Sequence, residues 1–213
     1  MRRYKLIIFD WDGTLWNSGS SIIDVFLATA RDLQVPEPKR IDVKNSIGLN
    51  LSTQRKLLFP DLDRQQFLRC FEKNYSARAQ LIQLFPGTIE VLRELKDQGK
   101  ILAIATSKYR KSLINVLHSF EMQDLFSAIR CGDDGCPKPE PEMLYEICQE
   151  LDIAPDEAVM IGDSEHDMLM AKNANMARIA VTYGVQEREV MEACQPWACI
   201  DDVRDLSRIL LAK

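Results

Sequence analysis

The sequence lacks any long apolar run, since none of its stretches approaches the roughly 18–20 apolar residues that a membrane span requires. Its first apolar run, Leu6–Phe9, is also too short for the apolar segment of a secretory signal. Excess positive charge is also absent, because 27 Lys and Arg stand against 32 Asp and Glu, which gives a net charge of -5. This balance argues against non-specific binding to nucleic acid. We therefore expect a cytoplasmic protein that binds neither membranes nor nucleic acid.

Paired cysteine motifs are absent as well. None of the six cysteines forms a Cys-x-x-Cys pair, and the two histidines, His118 and His166, do not complete a zinc pattern. We expect reduced and mostly buried thiols. Internal repeats and low-complexity tracts are missing too, so the 213 residues suit one large domain or a domain with an insertion.

What the sequence does contain is an alternation of short apolar runs and helical patterns. This alternation is typical of βαβ units, in which parallel strands form a sheet with helices on both faces. The predicted strands are Leu6–Asp10, Ile101–Thr106, Ala128–Cys131, Val159–Asp163 and Ala177–Val181. The predicted helices among them are Ile89–Leu95, Lys111–Phe120, Pro141–Leu151 and Ser164–Asn175. In such sheets ligands bind beyond the carboxyl ends of the strands.

One interval, residues 15–83, interrupts this alternation because it contains no convincing strand. Its predicted helices are Ser18–Leu33, Ile41–Ile47, Leu51–Leu58 and Asp63–Gln80. The interval carries ten Lys and Arg against seven Asp and Glu, whereas the rest of the chain carries 17 against 25. We interpret it as a helical insertion, and a basic lid over an acidic core would suit an anionic substrate.

Two carboxylates lie at the exit of the first predicted strand, in the motif Asp10-Trp11-Asp12-Gly13-Thr14, which ends the apolar run Leu6–Phe9. Beyond a strand end, alternate side chains need no longer point to opposite faces, so both carboxylates can enter one pocket. Gly13 permits the sharp turn that this requires. Two buried like charges need a cation or a proton to compensate them. The motif therefore predicts a metal site or acid–base chemistry.

Polar residues also lie at or after the ends of three other predicted strands. Thr106-Ser107 lies at the end of the second strand, after the apolar run Ile101–Ala105, and Gly162–Asp167 lies at the end of the fourth, after Val159–Ile161. Lys138 follows the third strand by seven residues, within Pro137–Pro141. Each alone has a structural explanation as a helix cap, a solvated loop or a turn. Their common position at one edge of the predicted sheet indicates a functional site.

In order and spacing, these four motifs resemble those of the haloacid dehalogenase-like hydrolases. The insertion after the first motif is similar to the α-helical cap of their phosphoglycolate phosphatase-like branch. The resemblance implies an α/β fold with a Rossmann-like parallel sheet of order 5-4-1-2-3. It also implies a catalytic core of residues 1–14 and 84–213 and a cap of residues 15–83. The implied function is a Mg²⁺-dependent phosphatase that hydrolyses a small phosphorylated metabolite, a phosphoglycolate-like phosphomonoester.

The resemblance also assigns the metal and the chemistry. Asp10 is the nucleophile that forms an aspartyl-phosphate, and Asp12 protonates the leaving oxygen and then deprotonates water. The Mg²⁺ ligands are the carboxylates of Asp10 and Asp163 and the main-chain carbonyl of Asp12. Asp167 binds a metal-bound water or orients Lys138.

Phosphate binding is assigned in the same way. Lys138 neutralises charge on the phosphoryl group and holds Asp10 in place. Thr106 donates a hydrogen bond to a phosphoryl oxygen, and the main-chain N–H groups of Trp11, Asp12 and Ser107 assist it.

Several alternatives stay open. Asp12 favours phosphoryl transfer over carbon–halogen cleavage, because a halide leaves without protonation. As a general acid it must start protonated, which the neighbouring carboxylate favours and Mg²⁺ opposes.

The alternative functions are a phosphomutase or a pyrophosphatase of the same fold, and a non-catalytic phosphate-binding regulatory protein. The physiological substrate and the oligomeric state are also open.

Overall fold

The structure, a computed structural model, describes residues 4–212, which form six strands and ten α-helices. The strands are β1 (Leu6–Phe9), β2 (Ile101–Ala105), β3 (Ala128–Arg130), β4 (Ala158–Gly162), β5 (Ala177–Val181) and β6 (Ala198–Ile200). The helices are α1 (Gly19–Asp32), α2 (Arg40–Ser46), α3 (Leu51–Leu58), α4 (Arg64–Ala79), α5 (Thr88–Asp97), α6 (Arg110–Ser119), α7 (Glu142–Glu150), α8 (Glu165–Asn173), α9 (Arg188–Ala193) and α10 (Asp205–Leu211).

All strands pair in parallel in the order β3-β2-β1-β4-β5-β6. The predicted α/β class is confirmed, and the first five strands have the predicted order. The sixth strand, β6, was not predicted and extends the sheet beyond β5. Since β1 lies between β2 and β4, the loops after these three strands meet at the centre of one sheet edge.

The two faces of the sheet follow from the alternation of side chains along each strand. On one face Ile7 and Phe9 of β1 pack in a cluster with Leu95 of α5 and Leu113 of α6. On the other face Leu6 and Ile8 pack with residues of α7 and α8. Burial on both faces explains why β1 is apolar at every position, as expected for a central parallel strand.

Helices α1–α4, which we call the four-helix segment, surround an apolar cluster of their own. Phe26, Val43, Phe59 and Phe67 are its large buried members. Both ends of the predicted insertion lie against the sheet instead, because Leu15, Trp16 and Ile82 belong to the cluster under that sheet. The division into a core and a cap of residues 15–83 stays a prediction.

The helix bounds agree with the predicted ones to within two residues. At α8 the agreement has a local cause, because capping residues mark the start of the helix. The Ser164 side chain accepts a hydrogen bond from the Asp167 N–H, and the Asp167 side chain accepts one from the Ser164 N–H. Over residues 4–212, no helix combines the length and the apolar character needed to cross a membrane.

Candidate active site

Three of the predicted site residues stand directly after neighbouring central strands. Asp10 follows β1, Thr106 follows β2 and Asp163 follows β4. Continued strand pairing holds two of these positions, because the Asp10 N–H donates to Ile161 O at 2.9 Å and the Thr106 N–H donates to Arg130 O at 3.0 Å. All three side chains are buried. The sheet therefore brings together residues that are far apart in sequence.

Lys138 joins this group from the loop before α7. Its Nζ donates to Asp10 Oδ1 at 2.7 Å and to Asp167 Oδ1 at 2.6 Å. Burial alone would lower the pKa of Lys138, but the two carboxylates outweigh burial and raise it above its usual value. Lys138 therefore places a positive charge directly against Asp10.

Three buried carboxylates lie close together here, and the ammonium group of Lys138 contacts two of them, Asp10 and Asp167. Oxygen atoms of Asp10, Asp163 and Asp167 all lie within 4.8 Å of one another. Burial raises the pKa of Asp10 to about 6, with Lys138 opposing and Asp167 adding to the shift. Burial, together with repulsion from Asp10 and Asp167, also raises the pKa of Asp163. The excess negative charge and the all-oxygen donor set fit a hard divalent cation such as Mg²⁺.

Asp163 is fixed by contacts to both of its oxygens. Thr14 Oγ1 donates to Oδ1 at 3.1 Å, and the Val185 N–H donates to Oδ2 at 2.7 Å. The backbone of Gly13 and Gly184 approaches so closely that a Cβ on either residue would lie within 2.3 Å of an Asp163 side-chain atom. Gly13 also has a φ of +83°, which glycine adopts without steric cost. Both glycines are therefore required by the position of Asp163.

Asp167 is oriented by the start of helix α8. Its Oδ2 accepts from the Ser164 hydroxyl at 2.6 Å and from the Ser164 N–H at 3.1 Å, while its Oδ1 faces Lys138. The helix cap therefore also directs Asp167 toward Lys138.

Asp12 has partners that the sequence analysis did not identify. Its two carboxylate oxygens accept from Lys108 Nζ at 3.1 and 3.0 Å, and Oδ1 also accepts from the Ser18 hydroxyl at 2.7 Å. Lys108 Nζ lies 4.4 Å from the centroid of the Trp16 ring and 4.9 Å from that of Tyr75. The sequence signal for Lys108 was its position directly after Thr106-Ser107 at a strand end.

Main-chain groups near these side chains are free to bind a ligand. In residues 4–212 the N–H groups of Trp11, Asp12 and Ser107 donate no hydrogen bond, and the Asp12 carbonyl accepts none. Thr106 Oγ1 lies beside them, where it accepts from the Lys108 N–H at 3.3 Å. Free N–H groups beside a buried lysine are suited to binding an anion, whereas the free Asp12 carbonyl is suited to binding a cation.

A cavity of about 110 Å³ opens above this group, and Asp10, Asp12, Thr106, Ser107 and Lys108 form its floor. Its walls come largely from the four-helix segment. Asp163, Lys138 and Asp167 lie behind Asp10, outside the cavity lining. The structure therefore brings all the predicted site residues to one edge of the sheet.

The fold and this site define an α/β protein of the enzyme type that has its candidate catalytic groups at the carboxyl ends of parallel strands. Residues 7–181 match the family described as Haloacid dehalogenase-like hydrolase. The chain belongs to this family, and the prediction of a hydrolase is confirmed at that level.

Relatives with known names cover nearly the whole chain. The Probable phosphatase IndB of Dickeya dadantii (strain 3937) is 35% identical over 205 residues, which cover 92% of this chain and 89% of that protein. The Pyrophosphatase PpaX of Bacillus cereus (strain G9842) is 32% identical over 209 residues, which cover 98% of this chain and 97% of that protein.

Solved structures show the same fold. The crystal structure of a predicted phosphoglycolate phosphatase from Haemophilus somnus 129pt superimposes with a TM-score of 0.89 at 28% identity, covering 98% of this chain and 99% of that one. The haloacid dehalogenase-like family protein SP0104 from Streptococcus pneumoniae superimposes with a TM-score of 0.83 at 26% identity, covering the same shares of both chains.

Proposed function

We propose that this protein is a Mg²⁺-dependent phosphatase that hydrolyses a small phosphomonoester through an aspartyl-phosphate on Asp10. The observation that carries the proposal is the buried position of Asp10, which contacts Lys138 and faces the cavity beside free main-chain N–H groups. A nucleophile, a fixed cation and unpaired donors are the groups that phosphoryl transfer requires. The names of the two relatives support the same class of reaction.

The metal would be held by Asp10, Asp163 and the Asp12 carbonyl, with Asp167 close by. The cluster of three carboxylates and the unpaired carbonyl support this assignment. A bound Mg²⁺ supplies charge neutralisation for the phosphate dianion. Thr14 and the Val185 N–H would keep Asp163 oriented as a ligand, and Ser164 would do the same for Asp167.

The phosphoryl group would lie over Asp10, between Lys138 and the loop after β2. Lys138 would offset its negative charge and hold Asp10 in the attacking orientation. The Thr106 hydroxyl and the N–H groups of Trp11, Asp12 and Ser107 would donate to the phosphoryl oxygens. Their lack of other acceptors supports this assignment.

Two displacements complete the reaction. In the first, an Asp10 oxygen forms a bond to phosphorus while the bond to the leaving oxygen breaks, and Asp12 gives that oxygen a proton. In the second, a water oxygen attacks phosphorus, Asp12 takes the proton of that water, and the bond from Asp10 to phosphorus breaks. The contacts of Asp12 to Lys108 and Ser18 support this role, because they hold its carboxyl at the cavity.

Residues 15–83 would act as a cap that covers the phosphorylated substrate during the first displacement. The support is that the four-helix segment supplies most of the cavity walls. We further propose a cytoplasmic location, since all six cysteines are free thiols.

The test is phosphate release from p-nitrophenyl phosphate with Mg²⁺ and with EDTA. We expect turnover with Mg²⁺, its loss in EDTA, and a decrease in kcat of about 10³-fold or more for Asp10→Asn. The exposed Asp61 provides a control, Asp61→Asn, which should retain wild-type activity. An inert wild type, or an Asp10→Asn variant as active as the wild type, would contradict the proposal.

Pyrophosphate hydrolysis is a second candidate, because a relative that matches 98% of this chain is named a pyrophosphatase. Pyrophosphate would use the same Asp10 nucleophile, with phosphate as the leaving group. The ratio of kcat/KM for pyrophosphate to kcat/KM for phosphomonoesters distinguishes a pyrophosphatase from a phosphomonoesterase.

A further inference from the structure

The cavity wall that would face the leaving group offers little positive charge to a substrate. Of the residues that line it, Lys108 is the one with a cationic side chain, and its Nζ contacts both oxygens of Asp12. Glu72 lines the same cavity and adds a negative charge. Arg64 influences the nearby Tyr109, but Arg64 is exposed and does not line the cavity. A second anionic group on the substrate would therefore enter without a free counter-charge.

Most of the remaining wall is apolar or aromatic, formed by Ile22, Ile47, Leu49, Leu51, Phe71 and Tyr75. Two polar but uncharged side chains, Gln54 and Ser112, also line the cavity, and Gln54 Nε2 already donates to Ser46 O at 2.8 Å. Burial raises the pKa of the phenols of Tyr75 and Tyr109, so both rings stay uncharged at neutral pH. Such walls gain free energy by covering apolar surface of a ligand and cannot compensate a carboxylate or a second phosphate.

Leu49 is the most informative of these wall residues. It lies in the loop between α2 and α3, is half-buried, and lines the cavity without belonging to any of the apolar clusters within residues 4–212. The hydroxyl of Ser107, on the cavity floor, donates to the neighbouring Gly48 carbonyl at 2.5 Å. This contact places Leu49 over the phosphate side of the cavity.

We infer that the physiological substrate is a phosphomonoester whose leaving alcohol is uncharged and carries an apolar or aromatic group. The inference rests on the proposed phosphatase function and narrows its substrate class. It assigns the walls of the four-helix segment as the binding surface for that group, including Leu49 beside the contact between Gly48 and Ser107. It disfavours phosphoglycolate and pyrophosphate, whose leaving groups are anionic.

The test compares kcat/KM for benzyl phosphate, 2-phosphoglycolate and pyrophosphate, with p-nitrophenyl phosphate as a reporter of basal activity. We expect benzyl phosphate to exceed both anionic substrates by about tenfold or more. Leu49→Lys should raise kcat/KM for 2-phosphoglycolate and lower it for benzyl phosphate, because it adds a free cation at the wall. Leu81→Lys is the matched control, since Leu81 is 78% exposed and lies outside the cavity.

The outcomes separate the two proposals. Turnover of p-nitrophenyl phosphate with a preference for 2-phosphoglycolate or pyrophosphate would overturn the substrate inference and leave the phosphatase function standing. An unchanged substrate ratio in a folded Leu49→Lys variant would overturn the assignment of the wall. No phosphate release from any of the four compounds would overturn both proposals.

Discussion

Gly13 is the residue whose backbone the site constrains most directly. A Cβ at this position would lie 2.1 Å from Asp163 Oδ2, and its φ of +83° is unfavourable for any side chain. Gly13→Ala should therefore destabilise the fold and displace Asp163. Gly99 is a matched control, because its φ is +78° but nothing lies within 4 Å of its added Cβ.

Urea unfolding of both variants separates backbone strain from steric overlap. Gly99→Ala should lower the free energy of unfolding by about 1–2 kcal/mol, the cost of a left-handed residue with a side chain. Gly13→Ala should lower it by about 1–3 kcal/mol more, because the overlap adds to the strain. Equal losses in the two variants would mean that Asp163 moves away at no cost.

Asp10, Thr106 and Asp163 could be predicted because each follows an apolar run directly. Parallel pairing then forces their convergence, whatever their separation in sequence. Lys108 is different, since its contact to Asp12 joins residues that are 96 positions apart, and it depends on a side-chain direction. Apolar periodicity carries no information about such a direction, so this ion pair became visible only in the structure.

Among the elements, the long helices and central strands could be predicted from their patterns, whereas the last part of the sheet could not. Strand β6 has three residues and lies at the sheet edge, beside β5 alone. Strand β3 is equally short and lies at the other edge, but it was predicted because it stands between two helical patterns, whereas no helix was predicted after β5. Helices α9 and α10 have six and seven residues, which gives a weak pattern.

The loop between α2 and α3 is the element that contacts both the floor of the cavity and the start of α8. Ser107 Oγ donates to the Gly48 carbonyl at 2.5 Å, and Gly48 lies against Ser164 and His166. Ser107→Ala removes the hydrogen bond and leaves the main-chain N–H in place. We expect faster hydrogen exchange in this loop, unchanged exchange in β1, and a decrease in kcat/KM of up to about tenfold, the equivalent of one hydrogen bond.

The control for this variant is Ser119→Ala. Ser119 Oγ donates to Val116 O at 2.8 Å within helix α6, so its loss removes a hydrogen bond without touching the loop. If Ser119→Ala changed the exchange of the loop equally, the effect would be one of general stability. If Ser107→Ala changed neither exchange nor kcat/KM, the contact would not hold the loop at the cavity.

At the scale of the whole molecule, the thiols report on the integrity of the packed sheet. Burial raises the pKa of Cys131 to about 12 and that of Cys148 to about 11, whereas Cys136 is exposed. At pH 8 a thiol reagent should label Cys136 first and reach Cys131 and Cys148 only upon unfolding. Labelling of all three cysteines at one rate would contradict the packing.

Because unfolded thiols ionise near pH 9, Cys131 and Cys148 should lower the stability of the fold as pH rises from about 9 to 12.

If a divalent cation binds at the acidic cluster, its binding should stabilise the entire fold. Asp10, Asp163 and Asp167 lie close together, and Lys138 Nζ contacts Asp10 and Asp167 but not Asp163. A cation that binds only the native state would therefore relieve their repulsion and stabilise that state. At a Mg²⁺ concentration of about 100 times its Kd, mass action adds about 2.7 kcal/mol. For a chain of this size that gain raises the melting temperature by about 5–10 °C.

Thermal unfolding with increasing MgCl₂, against EDTA, measures this shift independently of catalysis. Asp163→Asn should abolish most of it, because the variant removes one ligand charge, whereas Asp61→Asn at an exposed position should keep it. The metal-free Asp163→Asn protein should also melt at a higher temperature than the metal-free wild type, since one of three mutually repelling carboxylates is gone. A melting temperature that does not respond to Mg²⁺ in the wild type would mean that Lys138 alone compensates the cluster and that no divalent cation is bound there.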